Sequence, residues 1–268
     1  MSLELAVVTP HTPRICHEEL VADFQKPMVR AMYEVADVIE SVRPDVVVLV
    51  SCHWMSSFNH YVDATPRHQG ILTAHECPDI IRDVAYDYPG QREIANQLAT
   101  AGQASGLSVK AIDDPTYVWD YGTVVPLRYL LPRTKVPVVD LSVCFAASLD
   151  ETMRWGRAIG KTLSESPLRT VFVASGALAH NLVRGPEQWP NITEQALDRE
   201  FSAHLVAGDL ASATEMLPSY ARAAGVESGG RHIAILLGVL QGQYHGVLHG
   251  YGPSSGSGNP VLTLRPVG

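Results

Sequence analysis

The chain lacks paired cysteines: Cys16, Cys52, Cys77 and Cys144 are scattered with no CxxC spacing. That argues against a zinc ribbon or a disulfide framework and reads as reduced thiols in a cytoplasmic protein. It also lacks positive charge. Lys plus Arg number 20 against 28 for Asp plus Glu, a net charge of −8, which disfavours nucleic acid and anionic membrane surfaces as partners. No apolar run approaches the roughly 20 residues needed to span a bilayer, and no basic segment followed by a long apolar core suggests a secretory signal. Gly256-Ser257-Gly258 is a lone glycine pair without the strand–turn–helix setting of a phosphate loop, so a nucleotide is not expected. No internal repeat is visible.

What is present fits one α/β domain spanning residues 1–268, a central mixed sheet covered by helices on both faces. Val46–Trp54 reads as a strand buried on both faces, ending at His53. Leu3–Thr9 is a second such strand, followed by Pro10-His11-Thr12-Pro13. Between them Gln25–Val42 carries Met28, Met32, Val35, Ile39 and Val42 at helical spacing and ends at Arg43-Pro44. The resulting β–α–β unit is expected to make the two strands parallel neighbours. Residues 55–90, rich in Pro, His and Tyr, read as an irregular wall or an edge hairpin. Helices are expected over Arg92–Ala104, Gly122–Leu131 (interrupted at Pro126) and Leu149–Leu163, and strands over Leu107–Ile112, Val136–Val143 and Thr170–Ser175. Residues 193–240 are mainly helical, with breaks at Pro218 and Gly225–Gly230. Two strands, Gly246–Tyr251 and Val261–Leu264, close the chain around a flexible turn.

Ligands of open α/β sheets bind beyond the carboxyl ends of the strands, and there the chemistry-bearing residues stand. His11 and His53 each lie just past an apolar strand; with one carboxylate they would form a facial triad, the set that suits non-haem Fe(II) because the opposite positions stay open. Taken singly, each histidine is more often a packed or hydrogen-bonded residue. Among many carboxylates Glu227 stands out, flanked by glycines ahead of an apolar helix, and it equally fits a surface acid near a helix N-terminus. His180, on a small-residue turn after Thr170–Ser175, is a candidate general acid–base or a hydrogen-bonded core histidine. Tyr121 offers a phenol, or simply packs its loop. Arg14, beside His11, is a candidate for recognising a substrate carboxylate or a solvated arginine. His60, His68, His75, His245 and His249 read as structural or surface residues, and His232 as a helix residue near Glu227.

Together, Thr9-Pro-His11-Thr-Pro13, Ser51-Cys-His53-Trp54, Asp120-Tyr-Gly-Thr123 with Pro126-Leu127, Ala174-Ser-Gly-Ala-Leu-Ala-His180 and Glu227 resemble, in order, the class III extradiol ring-cleavage dioxygenases of the protocatechuate 4,5-dioxygenase type. Residues 69–90 look most like the 3,4-dihydroxyphenylacetate 2,3-dioxygenase branch, and the 2-aminophenol 1,6-dioxygenases share the core pattern. The resemblance implies Fe(II) held by His11, His53 and Glu227, with His180 as acid–base and Tyr121 beside substrate and O2. It implies a catechol-type or 2-aminophenol-type aromatic opened to a muconic semialdehyde, in a homo-oligomer or a pair with a related non-catalytic subunit. Ala179 departs from the family, which commonly has serine before this histidine. Two rival expectations are a Memo-like metal-pocket binding module without ring cleavage and a zinc hydrolase using the same ligands.

Overall fold

The strand-forming apolar runs and amphipathic segments fold, in the computed structural model, into ten strands and seven α-helices among the described residues, 3–267. Residues 1–2 and 268 of the expected domain lie outside the described residues. The first half runs β1 (Leu3–Thr9), α1 (Lys26–Val42), β2 (Val46–Ser56), β3 (His60–Asp63), β4 (Arg67–Leu72), β5 (Val84–Pro89), α2 (Arg92–Ala104), β6 (Val109–Ile112) and α3 (Tyr121–Leu130). The second runs β7 (Val138–Cys144), α4 (Leu149–Glu165), β8 (Thr170–Ser175), α5 (Ile192–Ala207), α6 (Leu210–Ala223), α7 (Arg231–Val239), β9 (Tyr244–Ser254) and β10 (Ser257–Pro266).

Eight strands form one mixed sheet in the order β6-β3-β7-β2-β8-β1-β10-β9, and β4 and β5 pair as a separate hairpin. The four central strands, β7-β2-β8-β1, are parallel. Because side chains alternate along a strand, each central strand feeds two cores. Leu5, Val7, Val47, Leu49, Val171 and Val173 face α1 and α3, meeting Met28, Met32, Val35, Ile39 and Leu127. Ala6, Val8, Val48, Val50, Phe172 and Ala174 face α2, α4 and α7, meeting Leu98, Trp155, Ile159, Ile233 and Leu236. Helices therefore cover both faces, as expected.

Several details differ from expectation. β1 and β2 are parallel but not adjacent, because β8 lies between them; its six residues are all buried, and the middle of the sheet is where such a strand loses all contact with water. Residues 55–90 contribute β3 to the main sheet and form the β4–β5 hairpin. Pro218 does not break its helix but lies inside α6; it is exposed, so the helix loses one backbone bond on its wet side. Pro126 likewise lies inside α3. The final turn is tight rather than flexible: Ser255 (φ 52°) and Gly256 (φ 85°) make the two-residue, left-handed connection that matches strand twist.

Helices α4 and α7 approach closely at Gly156, where a β-carbon would lie 2.2 Å from the Ile235 carbonyl oxygen and 2.9 Å from Gly238 Cα. Both obstacles are backbone and cannot rotate away. Gly156→Ala is expected to lower unfolding stability by about 1–3 kcal/mol, measured as a shift in the urea midpoint; an unchanged midpoint would contradict this packing.

Candidate metal centre and active-site cavity

Parallel pairing sets the ends of β1 and β8 level with Ser51 of β2. Thr9 pairs with Ser175, and Ser51 pairs with Ser175 from the other side. His11 and His180 follow the ends of β1 and β8. His53 does not end its strand, as expected, but lies inside β2 after the last β8 pair, where the register against β7 shifts between Ser51 and Met55. A bulge of this kind re-aims side chains, and here it accompanies an imidazole turned towards its neighbours over the sheet edge. Glu227 arrives from the far side. After it, Ser228, Gly229 and Gly230 all take left-handed conformations (φ 50°, 65° and 79°), which two glycines permit readily and which turn the chain sharply into α7.

These elements bring His11, His53 and Glu227 together. His11 Nε2 lies 3.1 Å and His53 Nε2 3.4 Å from Glu227 Oε1, and the candidate ligand atoms all fall within 4.8 Å of one another. His180 Nε2 is 3.9 Å from the same oxygen. The second Glu227 oxygen accepts the Ala177 N–H at 2.6 Å. The Glu227 carboxylate is buried, yet its ion-pair partners among the described residues are all imidazoles, with no arginine or lysine. A buried anion needs a counter-charge, and two imidazole nitrogens with one carboxylate oxygen are a donor set for a divalent metal. The residues present fit such an ion.

The His11 tautomer follows from a proline. Pro126 has no N–H, so the Gly122 carbonyl four residues earlier lacks its helical partner. Ser175 Oγ donates to that carbonyl. With its single hydrogen so used, Ser175 Oγ accepts from His11 Nδ1, 2.9 Å away. The Nδ1 hydrogen is thereby fixed, and the Nε2 lone pair is left facing Glu227 and His53. Glu76 Oε1 lies 3.4 Å from His53 Nδ1 and favours the corresponding arrangement there. Ser51 Oγ accepts the His53 backbone N–H and donates to Asp120, which also caps α3 by accepting the Thr123 N–H.

A cavity of about 300 Å³ opens above the cluster, lined by His11, His53, His180, Glu227, Tyr121 and Glu76, among others. Burial pushes the His180 imidazole below its ordinary value, outweighing the nearby Glu227 charge; it is neutral at pH 7 and able to accept a proton. Burial, with Glu227 and Glu76 close by, holds the Tyr121 phenol far above its ordinary range, so it remains a hydrogen-bond donor. Its ring lies 3.9 Å, centroid to centroid, from that of His53.

The structure thus brings together all five of the expected site residues. Arg14 is not among them: it is exposed on a short turn whose Pro13, but not Arg14, reaches the cavity. Sequence reasoning missed Ser175, Glu76 and Asp198. The Gly122–Pro126 spacing held a clue to Ser175, since a proline frees the carbonyl four residues back. Asp198, on α5, carried no signal; its buried carboxylate accepts the hydroxyls of Tyr220 and Tyr251, each at 2.6 Å, and the Ala179 N–H. It anchors the turn that presents His180.

Comparison with known proteins follows the same lines. The family described as "Catalytic LigB subunit of aromatic ring-opening dioxygenase" matches residues 5–259. The 3,4-dihydroxyphenylacetate 2,3-dioxygenase of Escherichia coli is 25% identical over 263 residues, covering 94% of this chain and 95% of that one. The 2-aminophenol 1,6-dioxygenase beta subunit of a Pseudomonas species is 25% identical over 283 residues, covering 95% and 91%. A crystal structure of an uncharacterized protein from Escherichia coli K12 superposes with a TM-score of 0.71 at 18% identity, covering 98% of this chain and 99% of that one; at that identity the likeness concerns the fold alone.

Burial raises the Asp198 carboxyl from 3.8 to about 6, against the hydrogen bonds from Tyr220, Tyr251 and Ala179. The folded chain then holds this proton more tightly than the unfolded chain. Its contribution to stability is fully present below about pH 4 and is lost as pH rises through about 6, at no more than about 1.4 kcal/mol per pH unit. Asp198→Asn removes this titration. The stability difference between wild type and variant, from urea midpoints at pH 4.5 and 7, is expected to shift against the wild type as pH rises; a constant difference would contradict the assignment.

Proposed function

Because the chain belongs to the family of catalytic LigB subunits of aromatic ring-opening dioxygenases, we propose that it is a non-haem Fe(II)-dependent extradiol enzyme. It would open a catechol-type or 2-aminophenol-type ring with O2 to a muconic semialdehyde, both oxygen atoms entering the product. The observation that carries this reading is the convergence of His11, His53 and Glu227 on the floor of a cavity whose walls hold His180 and Tyr121. Ring substrates named for the relatives, a dihydroxyphenylacetate and an aminophenol, share two adjacent donor atoms able to chelate one metal.

His11, His53 and Glu227 would hold the ion from one side. A ferrous ion there would supply two-point attachment of the ring and a neighbouring position for O2. His180, neutral and within the cavity, would accept a proton at Nε2 from the arriving hydroxyl and return it later as general acid. Tyr121 would donate its phenolic hydrogen to an oxygen of the bound reactants. Ser175, bonded to both His11 and the Gly122 carbonyl, holds the His11 ring in the tautomer that leaves Nε2 free.

The whole chain forms the ring-cleavage domain and works in the cytoplasm, which four unpaired cysteines support. Among the described residues no helix is long and apolar enough to cross a membrane. The chain assembles with copies of itself or with a related subunit; one relative is itself named a beta subunit.

Iron analysis and oxygen uptake with a catechol and aminophenol panel test these roles separately. His53→Ala is expected to lose iron. His180→Ala is expected to keep iron while turnover falls about 10²–10⁴-fold. Turnover by His180→Ala at the wild-type rate, or full iron binding by His53→Ala, would contradict the assignment. Ser175→Ala is expected to weaken metal affinity roughly 10–100-fold in a competition titration against a chelator; unchanged affinity would remove Ser175 from the account.

A further inference from the structure

The cavity above the cluster is one-sided in charge. Two carboxylates line it, Glu227 at the floor and Glu76 beside His53. Among its described lining residues there is no lysine or arginine, and Arg14 is exposed outside it. Glu76 is 58% exposed at its side chain, so its carboxylate meets whatever enters.

The wall contributed by the β9–β10 hairpin is polar but uncharged: Ser254, Ser255, Ser257 and Asn259. Two of its side-chain donors are engaged within the wall. Ser257 Oγ donates to the Ser254 carbonyl, and Asn259 Nδ2 donates to Gly252 and Ser257. Asn259 Oδ1 has no intramolecular partner among the described residues. Such a wall offers neutral hydroxyl and amide groups but no positive charge. Apart from the metal ion, which the two ring donors would occupy, a carboxylate on the ring substituent would find no lysine or arginine among the described lining residues and would face the Glu76 carboxylate, a like-charge juxtaposition that costs affinity. An ammonium or hydroxyl would find acceptors.

Resting on the ring-cleavage reading, we infer that the cavity selects a diol or aminophenol whose remaining ring substituent is cationic or neutral and discriminates against an anionic one, with Glu76 as the specificity-determining residue. The substituent inferred for this cavity differs from that in the name of one relative, a dihydroxyphenylacetate.

Three catechols of matched side-chain length test this on the iron-loaded protein: 4-ethylcatechol (neutral), dopamine (ammonium) and dihydrocaffeate (carboxylate). Two readouts are needed, anaerobic binding followed by the absorbance of the bound catechol, and kcat/KM from oxygen uptake. Dopamine and 4-ethylcatechol are each expected to exceed dihydrocaffeate by at least about tenfold in both. Glu76→Gln is expected to narrow the gap between dopamine and dihydrocaffeate. Because Glu76 also touches His53, a second variant is needed. Leu182→Arg, at an exposed residue on the cavity rim, is expected to raise dihydrocaffeate binding relative to dopamine. Dihydrocaffeate bound and turned over as well as the other two would overturn this inference while leaving ring cleavage intact. An unchanged ratio in Leu182→Arg would also overturn it. Silence towards all three, in binding and in oxygen uptake, would overturn the ring-cleavage reading and this inference with it.

Discussion

A buried carboxylate whose ion-pair partners among the described residues are all imidazoles organises this molecule. Glu227 lies inside the protein against three imidazoles and one backbone N–H. Removing such a charge from water costs several kcal/mol unless something compensates it. Neutral imidazoles compensate only in part. The turn through Ser228–Gly230, the ends of β1 and β8 level with Ser51 of β2 and the small residues at Gly176-Ala177 all serve to bring partners to that one oxygen pair. A dication shared by the same atoms would turn the costliest group in the fold into its best-paired one.

Helix α3 ties this centre to the rest of the protein. Its capping residue Asp120 takes the hydroxyl of Ser51, the last β2 residue paired with β8, its first residue is Tyr121, and its proline frees a carbonyl for Ser175. Thr123, one turn on, donates to the buried Asp140 of β7. Two strands and a wall residue are thus set by one short helix, and a shift of that helix would move the His11 tautomer, the His53 backbone and the Tyr121 ring together. Asp198 plays the matching part on the other side, bonding to the Ala179 N–H beside His180.

Much of this was legible along the chain. Runs such as Val46–Val50 and Thr170–Ser175 mark buried parallel strands by composition alone, and helical periodicity placed α1 and α4 to within a residue or two. His11, His53, His180, Tyr121 and Glu227 stood out by position or by resemblance to extradiol enzymes. Strand order was not legible, because nothing local says that β8 inserts between β1 and β2; that is settled by which strand most needs burial on both faces. Nor were Ser175, Glu76 and Asp198, since a single hydroxyl or carboxylate has no periodicity and acquires a role only through partners far away in sequence, 164 residues for Ser175 and His11. Of the two readings of Arg14, the solvated arginine holds: adjacency to His11 along the chain does not bring its side chain into the cavity.

The most direct measurement is X-ray absorption at the iron edge of protein loaded anaerobically with one equivalent of Fe(II). Two imidazoles in the first coordination sphere, with the rest oxygen and two or more positions displaced by an added catechol, are expected for His11, His53 and Glu227 around one ion. A sulfur neighbour, a single imidazole, or a sphere that ignores catechol would contradict it.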